Sequence, residues 1–237
     1  MPLTAQKIEA INSAPGEMLG DDCPICKNKG YVAVETENGI ACRECECMTN
    51  RRNSRRLAAS GLEDMVSEYS LDKYLTPNQW QIRAKELALA YLDEPDGKWF
   101  MVSGTPGTGK THLCSAICAE LMRKSKDAKY MLWRDEAPRL KGLVNERAEY
   151  DALISVIKKA DVLYIDDFFK GTVTAADVNL AFEIINARYN ARRKKTIISS
   201  EKDINDIIQI DEALGSRIYE RSKGYCIKTP SQNWRLK

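Results

Sequence analysis

The sequence lacks any feature that would place the chain in a membrane. No apolar run reaches the roughly 18 residues that a membrane-spanning helix needs. The segment from Met1 to Gly20 contains acidic residues and lacks the charged-then-apolar layout of a signal peptide. We therefore expect a cytoplasmic protein with no membrane partner.

The chain also has almost no net charge. Its 36 Lys and Arg residues against 34 Asp and Glu residues leave a formal charge of +2. This balance excludes a polyelectrolyte tail but allows local basic patches. No internal repeat or low-complexity tract is present, and apolar residues make up 43% of the 237 residues, enough for a substantial core. The length favours one large domain with a small appendage.

Cysteines are concentrated in one short stretch, which holds five of the eight. In a reducing compartment such a cluster indicates a metal site before it indicates disulfides. Cys23 and Cys26 form a CxxC half-site typical of structural zinc. The other half is ambiguous, because Cys42 with Cys45 makes a second CxxC and Cys45 with Cys47 makes a CxC. Unmetallated thiols and an iron–sulfur cluster are the alternatives.

Beyond about residue 60, short apolar runs alternate with amphipathic stretches, which is typical of an α/β fold with a parallel sheet. We predict a zinc-stapled domain over residues 1–60 with a basic linker, and a five-stranded α/β domain over 61–237. One helix is expected after Thr174, where Asp177 three residues on gives a capping-box start. The predicted strands are Trp99-Phe100-Met101-Val102, Tyr130-Met131-Leu132-Trp133, Val162-Leu163-Tyr164-Ile165, Thr196-Ile197-Ile198 and Tyr225-Cys226-Ile227.

A phosphate-binding loop follows the first of these strands. Gly104-Thr105-Pro106-Gly107-Thr108-Gly109-Lys110-Thr111 matches the P-loop pattern at every defining position, with a helix expected from Lys110. Glycines let backbone amides surround the phosphates, assisted by the helix N-terminus. Lys110 is expected on the β- and γ-phosphates, and the Thr111 hydroxyl on Mg²⁺. The alternative is a glycine-rich turn without a ligand.

Two acids end the strand that begins at Val162. Ligands of parallel sheets bind at this carboxyl edge. Asp166 is therefore predicted to bind magnesium, and Asp167 is predicted to orient or deprotonate the attacking water. Further on, Arg217 and Arg221 stand four apart and share a helix face. Arginine suits transition-state charge on phosphate oxygens, although the pattern alone favours surface salt bridges.

Together these residues resemble the AAA+ ATPases of the DnaC/DnaI type, the bacterial and phage replicative helicase loaders. The resemblance covers most of the chain: Gly104 to Thr111 as Walker A, Ile165-Asp166-Asp167 as Walker B and Ser199-Ser200 as sensor 1. It implies Ser200 as a γ-phosphate probe weaker than the usual asparagine. It further implies Arg221 as an arginine finger acting on a neighbour's nucleotide, with Arg217 in support.

The segment Asp166 to Gly171 and the run Arg43-Glu44-Cys45-Glu46-Cys47 resemble phage-borne members in particular. That likeness implies Cys23, Cys26, Cys45 and Cys47 as the zinc ligands, with Cys42 spare. The chain ends soon after the fifth strand, so the expected core has no helical lid, as in these loaders, and a sensor 2 residue is not assigned.

The resemblance implies an ATP-dependent helicase loader for phage DNA replication, with ATP, Mg²⁺ and Zn²⁺ bound. Its implied partners are the hexameric replicative helicase, single-stranded DNA and neighbouring copies of the chain joined through the ATP site. The arginine run from Arg51 to Arg56 is expected either on DNA phosphates or in a solvated linker helix. The segment 134–159 corresponds to a DNA-contacting element of loaders, although its basic residues alternate with acids.

Two rival functions stay open. A transposition-helper ATPase of the IstB type shares the core, but the cysteine cluster argues against it. A zinc-stapled adaptor that makes no use of nucleotide would not need the intact Lys110, Asp166, Asp167 and Arg221. A P-loop metabolite kinase is disfavoured by the additional strand that precedes the acidic strand.

Overall fold

The computed structural model describes residues 3–19, 22–37, 39–59, 68–95, 97–124 and 126–230. The chain divides into two compact units, Met1–Arg55 and Arg56–Lys237. The division therefore falls within the arginine run, before the boundary after residue 60 that the sequence analysis predicts. Among the described residues, no helix is long and apolar enough to cross a membrane.

The first unit is built on a β-hairpin that the sequence analysis did not predict. Its strands pair antiparallel from Tyr31 opposite Glu44 to Thr36 opposite Gly39. Lys27 Nζ donates to the Ser13 carbonyl at 3.1 Å, at the end of the first helix, where backbone carbonyls have no helical partner. The elements are α1 (Leu3–Ser13), β1 (Tyr31–Thr36), β2 (Gly39–Glu44) and α2 (Cys47–Ala59).

The second unit contains a five-stranded sheet in the order β4-β5-β6-β3-β7, and every pair in it is parallel. Each strand contains most of one predicted apolar run, so the predicted α/β fold is confirmed. The strands are β3 (Phe100–Ser103), β4 (Ala128–Leu132), β5 (Val162–Phe168), β6 (Lys195–Ser200) and β7 (Cys226–Lys228).

Helices connect these strands and cover both faces of the sheet. The capping box predicted at Thr174 is present, since its side chain accepts from the Asp177 N–H and the Asp177 side chain reaches back. The helices are α3 (Gln79–Leu92), α4 (Lys110–Arg123), α5 (Trp133–Gly142), α6 (Arg147–Lys159), α7 (Ala175–Asn190), α8 (Ile204–Ile210) and α9 (Glu212–Ser222), with a 3₁₀ turn at Leu143–Asn145.

The pleat of the strands divides the core into two layers. Phe100 and Val102 of β3 face one layer with α3 and α4, whereas Met101 between them faces the other with α5 to α9. All three side chains are fully buried. Because both faces are covered, the strands consist of continuous apolar runs rather than alternating ones.

One irregularity in the sheet shapes the site. The register of β5 against β6 shifts between Ile165 and Phe168, so Asp166 and Asp167 stand in a bulge at the carboxyl edge of the sheet. Bulges of this kind re-aim side chains and are frequent beside active sites. The carboxyl edge is also where β3 leads into the P-loop.

Candidate nucleotide site and metal centre

The P-loop connects β3 to α4, which begins at Lys110 as predicted. Gly104 has φ +139°, and a Cβ there would lie 2.1 Å from Thr229 Oγ1. Thr229 is fixed in turn, because its N–H donates to the Ser103 carbonyl at 2.8 Å. Glycine is thus required at the first position of the loop by a close backbone approach as well as by conformation.

Lys110 is oriented by the loop that it serves. Its ammonium donates to the carbonyls of Gly104 at 2.7 Å and Thr105 at 2.8 Å, and the residue is largely buried. Burial lowers the pKa of Lys110, which acidic neighbours partly offset. A buried cation at a helix N-terminus favours an anionic ligand, since the first amides of the helix also lack partners.

Asp166 is held by four groups around its carboxylate. Oδ1 accepts from the Thr111 hydroxyl at 3.4 Å, from the Asp167 N–H at 3.1 Å and from the Ser199 hydroxyl. Oδ2 accepts from the Tyr130 hydroxyl at 3.2 Å. The structure thus brings Thr111 and Asp166 together as hard oxygen ligands of the kind that Mg²⁺ prefers.

Asp167 occupies an uncommon backbone conformation. Its φ is +54°, and Phe169 two residues on has φ +56°. Left-handed residues other than glycine cost of order 1–3 kcal/mol and cluster at functional sites. Asp167 lines a cavity of this unit together with Lys110.

The strand alternation brings Ser199, rather than Ser200, to the Walker B acids. Ser199 Oγ contacts Asp166 and accepts from the Asp167 N–H at 3.1 Å. Ser200 lies on the opposite face, where its hydroxyl donates to the Phe168 carbonyl at 2.7 Å. Ser200 therefore has its hydroxyl occupied away from the acids. The sequence analysis named Ser199-Ser200 as sensor 1 and chose Ser200, because the phase of β6 is not visible from Ser-Ser alone.

The cavity beside the P-loop has a volume of about 430 Å³, within the range of ligand pockets. Its polar end contains Lys110, Asp167, Lys170 and Glu201. The opposite end is aromatic, and the Tyr69 and Tyr74 rings lie 4.8 and 5.3 Å from the His112 ring. No sequence pattern predicted that these aromatic residues line the cavity. The apolar end is lined by Tyr69, Tyr74, Leu75, Pro77 and His112.

Four cysteines in the first unit form a compact sulfur cluster. The Sγ atoms of Cys23, Cys26, Cys45 and Cys47 all lie within 4.8 Å of one another. Cys23 Sγ is 3.8 Å from Cys45 Sγ, and Cys26 Sγ is 3.5 Å from Cys47 Sγ. Tetrahedral zinc with Zn–S bonds of about 2.3 Å separates its sulfurs by about 3.8 Å, so the cluster has the dimensions of a Cys₄ zinc site.

The thiols of the cluster differ in pKa, since burial raises the pKa of Cys45 and raises that of Cys47 to about 12. Burial acts to raise the pKa of Cys26, but the Gly30 N–H and the neighbouring thiols outweigh it and lower this pKa to about 6. The Gly30 N–H lies 3.4 Å from Cys26 Sγ. Thiolate is the form that binds metal. Cys42 is exposed on β2 and stands outside the cluster.

A family model described as IstB-like ATP binding protein matches residues 36–237. The chain belongs to this ATP-binding family. It is 32% identical over 220 residues to the phage-like element PBSX protein XkdC of Bacillus subtilis (strain 168), covering 87% of this chain and 81% of that protein. It is 26% identical over 184 residues to the replicative helicase loader DnaC of Escherichia coli (strain K12), covering 76% and 72%.

The fold agrees with this membership. The crystal structure of the DnaC helicase loader superposes with a TM-score of 0.63 at 25% identity, covering 70% of this chain and 99% of that chain. The resemblance to DnaC/DnaI-type AAA+ ATPases is therefore confirmed, as is the P-loop fold with a four-cysteine cluster near the N-terminus.

In this IstB-like protein, Arg217 and Arg221 lie on α9, outside the residues that line the cavity of their own chain. Arg221 donates to the Gly97 carbonyl at 2.6 Å and to the Arg192 carbonyl. Arg217 lies over the rings of Phe182 and Tyr189, at 5.1 and 5.6 Å from their centroids. Both residues are half-buried, and the Nε atom of each is buried without a hydrogen-bond partner among the residues that the structure describes.

Most of the basic residues considered for DNA contact are engaged within the fold. Arg51 donates to Asn28 Oδ1 at 2.8 Å, and Arg52 pairs with Glu44. In the second unit, Lys141 pairs with Asp177, Arg147 with Asp151 and Lys158 with Glu183. Arg55 and Arg139 are exposed.

Proposed function

We propose that the chain is an ATPase that loads a replicative DNA helicase onto single-stranded DNA during phage DNA replication. The observation that carries this proposal is a complete nucleotide site, P-loop, Thr111–Asp166 pair and Asp167, in a chain similar to a replicative helicase loader and a phage-like element protein. The proposed domain division, 1–60 and 61–237, separates a cysteine-rich unit from this site.

Hydrolysis in this site follows from where each side chain stands. The Lys110 ammonium exchanges the Gly104 and Thr105 carbonyls for β- and γ-phosphate oxygens, and the α4 amides receive the same phosphates. Mg²⁺ held by Thr111 and Asp166 would neutralise charge on the phosphates. Asp167 orients the attacking water and accepts its proton, while Tyr130 and Ser199 fix Asp166.

Arg221 is the proposed finger for the nucleotide of a neighbouring copy, with Arg217 in support. Their position outside their own cavity supports action between chains rather than within one. Arginine fingers contribute about 10³–10⁵ in rate in other P-loop enzymes. A mixture of Arg221→Ala and Lys110→Ala chains should hydrolyse ATP faster than either variant alone, because some junctions join an intact P-loop to an intact finger. Equal rates in mixture and single variants would contradict a shared site.

The four-cysteine unit is the proposed binding domain for the helicase hexamer. A closed Cys₄ zinc site has no open coordination position, so zinc would act on folding rather than in chemistry. The exposed Arg55 and Arg139 are the candidate contacts to single-stranded DNA, since their charge is not committed to the paired contacts of their neighbours.

A transposition helper is the second candidate, favoured by the IstB-like family model. It would deliver duplex DNA to a transposase rather than a helicase to a single strand. The nucleotide-independent adaptor is the third, and it predicts that nucleotide changes nothing.

A loading assay separates these functions. Circular single-stranded DNA, a purified replicative helicase and the protein are incubated with ATP, and DNA-bound helicase is measured after gel filtration. We expect ATP-dependent helicase retention that Lys110→Ala abolishes and that Lys124→Ala, at the other end of α4, leaves intact. Retention that is independent of ATP would support the adaptor, and absence of helicase binding would contradict the proposal.

A further inference from the structure

Lys170 is a second lysine in the polar end of the cavity. Its ammonium lies 2.9 Å from Asp167 Oδ2 and 3.2 Å from Glu201 Oε1. Two elements contribute these acids, since Asp167 is the penultimate residue of β5 and Glu201 follows β6. Lys170 and both of its partners line the same cavity as Lys110.

The backbone beneath Lys170 is fixed by aromatic packing. Phe168 and Phe169 stack at 4.1 Å, and both rings contact Trp133 edge-on at 5.0 and 5.5 Å. The Lys170 N–H donates to the Asp167 carbonyl at 3.0 Å. With the backbone anchored, the side chain of Lys170 is the adjustable part, because it is about one-third exposed toward the cavity.

The charges in this corner change when a triphosphate enters. Asp167 and Glu201 alone would face a terminal phosphate with charges of the same sign, and Lys170 is the cation already placed between them. A lysine ammonium has three donors and can reorient around its stem, so it can exchange a carboxylate for a phosphate oxygen. The carboxylate contact and the phosphate contact of the ammonium are both charge-assisted hydrogen bonds, so the exchange replaces one strong contact with another.

We propose that Lys170 is a γ-phosphate-binding residue acting in its own chain, which holds Asp167 and Glu201 in the nucleotide-free site and releases Asp167 when ATP binds. The inference rests on the proposed ATPase function. In the nucleotide-free site, the Lys170 ammonium is bound to the carboxylate oxygen with which Asp167 would orient the attacking water. ADP brings no γ-phosphate and leaves Lys170 where it is, so Lys170 distinguishes ATP from ADP.

Calorimetric titration with MgADP and with a non-hydrolysable MgATP analogue tests this assignment. Lys170→Ala should weaken the ATP analogue about tenfold and change ADP affinity less than twofold, because one charge-assisted contact to the γ-phosphate is lost. Lys170→Arg should keep the discrimination. Glu201→Gln should tighten the ATP analogue, since Lys170 then leaves a weaker partner.

Lys73→Ala is the matched control, because Lys73 is another lysine that lines the same cavity. It should change both affinities by the same factor. If the unaltered chain binds neither nucleotide, the proposed function fails. If it binds both and Lys170→Ala shifts them equally, or Glu201→Gln weakens the ATP analogue, the γ-phosphate role fails while the ATPase proposal stands. Unfolding temperatures of each variant confirm that the fold is kept.

Discussion

Different interactions stabilise the two units of the chain, each within itself. Among the residues that the structure describes in the first unit, the buried apolar side chains are those of Cys23, Cys26, Cys45 and Ala33, so sulfur takes the place of an apolar core. In the second unit, apolar layers bury both faces of a five-stranded sheet. The comparison predicts that the first unit needs a metal ion to fold, whereas the second unit folds by burying apolar area.

Removing one cysteine sulfur should have the largest effect, because it should unfold the first unit and leave the second unit folded. Cys26→Ser should abolish the amide protection of residues 22–59, because zinc binding to such sites contributes on the order of 10 kcal/mol of folding free energy. Amides of the second unit should keep their protection. Hydrogen exchange measures both, and metal analysis should find about one zinc per unaltered chain.

Cys42→Ser is the control for that experiment, because Cys42 is an exposed cysteine of the same hairpin. It should leave zinc content and exchange unchanged. Metal-free protein with a protected first unit would show that the hairpin and helices are stable without zinc.

Arg188 tests the second unit, where burial dominates. Its guanidinium is fully buried and donates to Thr196 Oγ1 at 2.8 Å and to the Ala160 carbonyl at 3.0 Å, as well as to three other carbonyls. Arg188→Met leaves these acceptors unpaired, at about 1–3 kcal/mol each, so we expect at least about 3 kcal/mol of destabilisation. Urea unfolding of the second unit measures it.

The exposed Arg193 provides the control, and Arg193→Met should change the unfolding midpoint little. The first unit should keep its zinc in both variants. If Arg188→Met lowers the free energy of unfolding no more than Arg193→Met does, the buried arginine does not stabilise the core.

The adjacent serines give the smallest expected effect. Ser199→Ala should slow ATP hydrolysis several-fold, because it removes one hydrogen bond to Asp166, worth about 1 kcal/mol. Ser200→Ala removes a bond to the Phe168 carbonyl and should lower stability with less effect on rate. Steady-state hydrolysis and thermal unfolding of the pair distinguish them. A larger rate loss in Ser200→Ala would return the sensor role to Ser200.

The fold of the second unit could be predicted because short apolar runs, a P-loop and a capping box are local signals. The choice between Ser199 and Ser200 could not be made in this way, since the bulge at Asp166 and Asp167 sets the phase between β5 and β6. Lys170 and Glu201 meet only through the pairing of those strands. The hairpin of the first unit was missed because its strands are mostly exposed and carry little apolar pattern.

Two variants, one in each unit, test most directly whether the first unit binds the helicase and the second binds ATP. Helicase capture and ATP binding are measured side by side for Cys26→Ser and Lys110→Ala chains. We predict that Cys26→Ser loses helicase capture but keeps ATP affinity, whereas Lys110→Ala weakens ATP binding but keeps helicase capture. Loss of helicase capture by a folded Lys110→Ala chain, or its retention by Cys26→Ser, would contradict the account.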